Sequence, residues 1–197
     1  MRWLLCLLLL GPSVVRADER VTICFNYGCL SQTEVVYSDA QLHALAIILG
    51  QPGDAEQERT AIGEAVGLML AWAGGQSPIA ADRGGNNADN GVNGRMDCID
   101  HSTTTTRLLK LIESQGWLRY HRVLDVVQRK RFLLFDHFSA QISEVEKGAE
   151  ESAAMPTGEA KILARYAVDS WFFDNGHPAT VLPLDRWLAG ESPDVSQ

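Results

Sequence analysis

Positive charge is scarce in this chain: 17 Lys and Arg stand against 25 Asp and Glu over 197 residues, a formal net charge of −8. No basic stripe is present, and an acidic surface repels polyanions, so no nucleic-acid partner is expected. Internal repeats are lacking, which removes solenoids and arrays. Paired Cys-x-x-Cys and His-x-x-x-His spacings are lacking too, so the usual zinc frameworks are not available. Only one long hydrophobic run occurs, Trp3 to Leu10, and it is too short to cross a bilayer as a helix.

That run has the features of an export signal. Arg2 precedes it, Gly11 and Pro12 break it, and Val15-Arg16-Ala17 puts short residues where a signal peptidase reads. The expectation is a signal peptide over 1–17 and a single domain over 18–197, periplasmic or secreted, with no integral membrane segment after cleavage. An uncleaved N-terminal anchor is the alternative. Removing Arg2 and Arg16 from the 17 Lys and Arg leaves 15 against 25 acids, a formal charge of −10. Residues 18–197 are numerous enough to bury a core without a disulfide scaffold.

Cysteine is sparse and, after residue 17, odd in number: Cys24, Cys29 and Cys98. Exported thiols usually pair. Cys24 and Cys29 frame "CFNYGC", in which Gly28 permits a tight turn, and a local disulfide there is expected. Cys98 is then left unpaired. The alternative keeps all three reduced and packed as small apolar side chains.

The pattern along the chain places these residues on elements. Residues 21–25 and 34–37 read as short strands. Ser38 caps a helix with Gln41 as its reciprocal partner, and Leu42, Leu45, Ala46 and Leu49 form its apolar face. A second helix is predicted over 54–73, with Ile62, Val66, Met69, Leu70 and Trp72 inward. Residues 74–96 are rich in Gly, Asn and Asp and read as a long loop. Asp82, Asn86, Asn87 and Asp89 do not have the spacing of a calcium loop, so ordinary loop chemistry is expected of them. A third helix is predicted over 98–115, ended by Gly116, with Leu108, Leu109, Leu111 and Ile112 as its buried stripe. Strands follow at 119–128, 132–142 and 162–173, with "QRKR" as a polar turn and 146–160 as a solvated excursion. Asp174-Asn175-Gly176 signals a turn, and "PLDRWLAG" closes the chain. Helices followed by an antiparallel meander argue for an α+β domain.

Cys98 stands where the third helix begins. With Asp97 as N-cap and Asp100 at the capping-box position, the sulfur sits among unpaired backbone N–H groups at the positive end of the helix dipole. Both favour a thiolate. Two flanking carboxylates oppose it if they face the sulfur. A thiol nucleophile needs a base and an orienting partner. His137 lies in the apolar strand "LLFDHFSAQI", on the pleat face of Leu133, Phe135 and Ser139. Asp169 shares a face with Ala167 and Trp171, where a lone carboxylate is costly to bury. A histidine on the neighbouring strand is its expected partner. Cys98, His137 and Asp169 thus form a series of nucleophile, base and orienter. His101, three residues past Cys98, is a rival base or a metal co-ligand. A zinc site from Cys98, His101 and Asp100 or His137 is the metal reading, against which the expectation is no metal and no cofactor. His43 and His177 lack a nearby paired carboxylate motif, and His121 lies on the first strand of the meander among alternating polar residues.

The stretches "MDCIDHSTTTTRLLKLIESQGWLRYHRV", "FDHFSAQI" and "YAVDSWF" resemble the transglutaminase-like superfamily, whose exported bacterial members include transglutaminase-like cysteine proteinases. The resemblance covers roughly the second half of residues 18–197. It implies a papain-like core, acyl-transfer chemistry at a thiol, and Cys98, His137 and Asp169 as nucleophile, base and orienting acid. Gln76 and Asn87 are candidate oxyanion donors, beside the Cys98 backbone N–H. The expected function is an exported thiol-dependent acyl-transfer enzyme, hydrolysing amides or transferring acyl groups to amines. Its partner is a protein or peptide substrate, and the acidic surface favours a basic or neutral one. The alternative is a non-catalytic binding or assembly protein on a degenerate form of the same fold.

Overall fold

The computed structural model describes residues 18–85, 91–131, 135–145 and 164–193. The expected signal over 1–17, Asn86, Asn87 and Asp89 of the loop, and the excursion over 146–160 lie outside these residues. Strands β1 (Glu19–Phe25) and β2 (Ser31–Tyr37) pair as an antiparallel hairpin, with Ile23 opposite Thr33. Helices α1 (Asp39–Gly50) and α2 (Ala55–Gly74) follow, then a 3₁₀ turn (Pro78–Ala81) and α3 (Cys98–Ser114). Strands β3 (His121–Arg131), β4 (Phe135–Glu144), β5 (Arg165–Asp169) and β6 (Thr180–Pro183) form one antiparallel sheet in that order. A short helix, α4 (Leu184–Leu188), ends the series. The fold is α+β, with two antiparallel sheets.

The helix starts follow their caps. Ser38 accepts from the Gln41 N–H while Gln41 Oε1 accepts from the Ser38 N–H at 2.9 Å, closing the capping box. Asp54 caps α2 through the Gln57 N–H at 2.8 Å. Substituting such a cap by alanine costs about 1 kcal/mol.

The core lies where α3 is packed between the β1–β2 hairpin and the four-stranded sheet. Leu108, Leu109 and Ile112 are buried there with Ile23, Val35, Ile142 and Val168. Leu42, Leu45 and Leu49 of α1 and Ile62, Val66 and Met69 of α2 extend the same cluster. Each buried Leu or Ile side chain contributes about 1.5–3 kcal/mol of transfer free energy. The Thr run has low helix propensity, and packing holds it: Thr104 and Thr105 are buried, and Thr104 Oγ1 accepts from the Cys24 N–H at 3.0 Å. Gly63 and Gly67 of α2 let the segment 177–179 lie on the helix. A Cβ at either would stand 2.5 Å from a backbone oxygen, of Ala179 or His177.

Several boundaries differ from expectation, two of them near the site. "QRKR" is the end of β3 and not a turn, with Arg129 opposite His137 and Lys130 opposite Asp136. β3 is an edge strand, where charged side chains are readily solvated and also discourage edge-to-edge pairing. The strand expected over 162–173 ends at Asp169, and residues 171–173 form a turn. Trp171 and Phe172 pack on His137 there and do not extend the sheet.

Candidate active site

Asp97 is the N-cap of α3. Its carboxylate accepts from the N–H groups of Ile99 and Asp100 at 3.0 and 2.9 Å, and Asp100 reaches back to the Asp97 N–H at 3.2 Å. Cys98 is the first helical residue, half-buried and unpaired, and its N–H is not among the donors Asp97 takes. Both carboxylates are engaged by the loop between β1 and β2. Asp100 accepts from the N–H groups of Tyr27 and Cys29 at 2.8 and 2.6 Å, and Asp97 from that of Gly28 at 2.9 Å.

That loop presents three N–H groups in one direction because Asn26, Tyr27, Gly28 and Cys29 all have φ between +57° and +67°. Side chains rarely adopt this left-handed region, and only Gly28 does so without cost. The expected Cys24–Cys29 disulfide closes the loop. Burial and the neighbouring Asp97 charge push Asp100 up to about 6, against the pull of the backbone donors.

His137 Nε2 lies 2.7 Å from Asp169 Oδ2, across adjacent strands β4 and β5. Burial disfavours charge on the imidazole, but the hydrogen bond with Asp169 and the nearby Cys98 thiol outweigh this and raise its pKa to about 9. With Nε2 directed at the carboxylate, Nδ1 is the ring nitrogen left for Cys98. The Cys98 sulfur also lies 3.9 Å from the Asp136 carbonyl oxygen, next to His137 in sequence. The structure therefore brings the three expected residues together.

Asp169 is 2 % exposed, and its carboxylate has further donors. Trp187 Nε1 donates to Oδ2 at 2.9 Å and the Trp171 N–H to Oδ1 at 3.2 Å. Rings wall in the imidazole, with Trp171 at 4.9 Å and Phe172 and Trp187 each at 5.7 Å between centroids. Arg129 holds Trp187 from behind: its guanidinium lies 4.6 Å over the indole and donates to the Trp187 carbonyl at 2.7 Å.

Several expectations change. His101 is neither a rival base nor a metal co-ligand. Its ring is buried, Nε2 lies 2.9 Å from Asp82 Oδ2, and Nδ1 lies 2.9 Å from Ser170 Oγ. Both nitrogens are thereby committed away from Cys98, and Asp100 is committed to the β1–β2 loop. Among the described residues, ligand atoms of Cys24, Cys29 and Asp100 lie within 4.8 Å of one another, but the disulfide takes both sulfurs. Gln76 is not an oxyanion donor, because its amide clamps β2 through the Val36 N–H and carbonyl, each at 2.9 Å. His121, read as one of several polar strand residues, is fully buried with Nδ1 2.8 Å from Glu58 Oε2. Hydrogen bonds from His121 and from the Arg119 and Tyr120 N–H groups hold Glu58 below the usual carboxylate range despite its desolvation. Asp82, read as plain loop chemistry, is buried in the core of the site. Trp187 was not anticipated; the available signal was a tryptophan in a short closing segment, since a buried indole N–H needs an acceptor.

No family model, curated protein or solved structure matches the chain.

Proposed function

We propose that this protein is an exported thiol-dependent acyl-transfer enzyme of the transglutaminase-like type, acting on amide bonds of a protein or peptide. The observation that carries the reading is the 2.7 Å pairing of His137 with the buried Asp169 carboxylate, beside the unpaired Cys98 thiol at the start of α3, whose sulfur lies 3.9 Å from the carbonyl of Asp136, the residue before His137. A nucleophile, a base and an orienting acid in that order are the parts that thiol acyl transfer requires. The local Cys24–Cys29 disulfide supports an oxidising compartment.

In this reading the Cys98 sulfur attacks the amide carbonyl carbon, forming a carbon–sulfur bond. The Cys98 N–H at the start of α3 stabilises the oxyanion. His137, an imidazolium at neutral pH, gives its proton to the departing amine as the carbon–nitrogen bond breaks. Water or an amine then attacks the thioester, His137 accepts its proton, and the sulfur leaves. The product is a carboxylate or a new amide. Asp169 keeps the His137 ring oriented and stabilises its charge, while the surrounding indoles exclude water.

The test is a mixture of peptides incubated with the protein and read by mass spectrometry for cleavage, deamidation or cross-linking. Turnover that disappears in Cys98→Ala and falls at least a thousandfold in His137→Ala supports the reading. Turnover that survives Cys98→Ala would eliminate it, and no turnover on any peptide would favour a binding protein.

A further inference from the structure

We propose that His101 and Ser170 are positioning residues, which fix the spacing between the helix that carries Cys98 and the strand end that carries Asp169. The inference rests on the reading of those two residues, with His137, as the reacting groups. Four side chains form a buried series beside the site: Asp82, His101, Ser170 and Thr105 are 1, 3, 6 and 1 % exposed. The His101 tautomer with hydrogen on Nε2 satisfies every partner. Nε2–H then donates to Asp82 Oδ2, Nδ1 accepts from the Ser170 hydroxyl, and the Ser170 oxygen accepts from Thr105, each over 2.9 Å. Asp82 Oδ1 accepts from the Met96 N–H at 2.9 Å, next to the α3 cap.

The placement gives this series its role. The β4–β5 register ends at Ala140 opposite Val168, one residue short of Asp169. The sheet bonds that would align Asp169 with the strand of His137 stop just before it. The next residue is Ser170, already outside the strand, and its hydroxyl is gripped by α3. His101 and Thr105 lie one and two turns past Cys98 on the same helix face. At the other end, the loop beginning at Asp82 clasps the turn that follows Asp169. The Gly85 N–H donates to the Trp171 carbonyl at 2.8 Å, and the Gly84 N–H to Asp174 Oδ1 at 3.0 Å. Gly84 admits no side chain there, since a Cβ would stand 2.3 Å from Phe173 Cα. His101 thus joins the loop, the helix start and the strand exit through one ring.

Asp, His and Ser in hydrogen-bonded order also have the residue types of a serine nucleophile and its relay. Burial argues against that use: the Ser170 oxygen is engaged by both Thr105 and His101 and faces no space for a carbonyl.

The test is NMR titration of the His137 ring in Ser170→Ala, His101→Gln and Thr105→Val. Each variant is expected to lower the midpoint from about 9 by one unit or more, because Asp169 no longer registers on the imidazole. Ser170→Thr, which keeps the hydroxyl, should restore it. Glu58→Gln, at the separate buried pair with His121, should lower thermal stability and leave the His137 midpoint unchanged. The proposal is overturned if the three variants also lose only stability and keep the wild-type midpoint. Should Ser170→Ala fail to fold, Thr105→Val and His101→Gln decide the matter by the same readout. The readout needs no substrate, so a failure of the acyl-transfer reading would be seen separately.

Discussion

Nε2 of His137 and Oδ2 of Asp169 are 2.7 Å apart, and the same carboxylate oxygen accepts the Trp187 indole N–H at 2.9 Å. One oxygen of a 2 % exposed residue thus serves two donors. The imidazole stays protonated further into the alkaline range than an exposed histidine would.

Asp169→Asn removes the charge and keeps the shape. The His137 midpoint should fall from about 9 toward 6.5, because burial then acts with less opposition. NMR titration of the ring measures this directly. A midpoint that stays near 9 would mean that Asp169 does not govern the imidazole.

Alkylation of Cys98 by iodoacetamide at pH 6 should be at least about tenfold slower in His137→Ala than in the wild type, as expected when a neighbouring imidazolium stabilises a thiolate. Mass spectrometry of the labelled peptide gives the rate, and Cys98 is the one free cysteine of the described residues. Equal rates would separate the sulfur from the histidine and remove the basis of the acyl-transfer reading.

Stability should fall as pH rises from 6.5 to 9. The folded-state pKa of His137 is raised, so the folded chain binds more protons than the unfolded one in that window. The contribution is complete below 6.5 and is lost as pH passes through about 9. Its size is on the order of 3 kcal/mol. Urea unfolding across this range should show the decline in the wild type and lose most of it in His137→Gln.

Trp187→Phe keeps an apolar ring and deletes the N–H that Asp169 accepts. A hydrogen bond to a buried charge is worth about 1.5–3 kcal/mol, and the free energy of unfolding should fall by that amount. The His137 titration should change as well, since both donors share Oδ2. A neutral effect on both would show that the indole only fills space.

Replacing Cys24 and Cys29 by serine should cost about 2 kcal/mol through the unfolded chain. It should also slow Cys98 labelling, because Tyr27, Gly28 and Cys29 hold the two carboxylates that flank the thiol. Labelling at the wild-type rate would show that α3 keeps its start without that loop.

Local rules made much of this legible. Ser38 with Gln41, Asp54, and Asp97 with Asp100 announce helix starts through contacts only a few residues apart. The leucine stripe of α3 and the odd cysteine count point to a buried helix with a reactive-looking residue at its head. His137 and Asp169 were readable because a histidine and a carboxylate within apolar strands each need a partner. Strand ends were less legible. "QRKR" is a turn by composition and a strand in the fold, because an edge strand leaves its charges in water.

Which other polar groups are buried was not legible. Glu58, Asp82, His101 and His121 look like surface residues in sequence, yet each is buried with a partner 19 to 63 positions away. Periodicity carries no record of such pairs, since a charged residue on an amphipathic pattern normally faces solvent.

The sequence by itself determined the helix starts, the apolar faces, the α+β order and the three residues of the candidate site, because capping, periodicity and the cost of a lone buried charge all act over short range. Tertiary structure alone decided where the flanking carboxylates find their donors, that the His101 ring is taken by Asp82 and Ser170, and that the Trp187 indole donates to Asp169. Those outcomes depend on hydrogen bonds between segments far apart in the chain. Such bonds exist only after hydrophobic packing has brought α3 onto the sheet and placed the β1–β2 loop at its head.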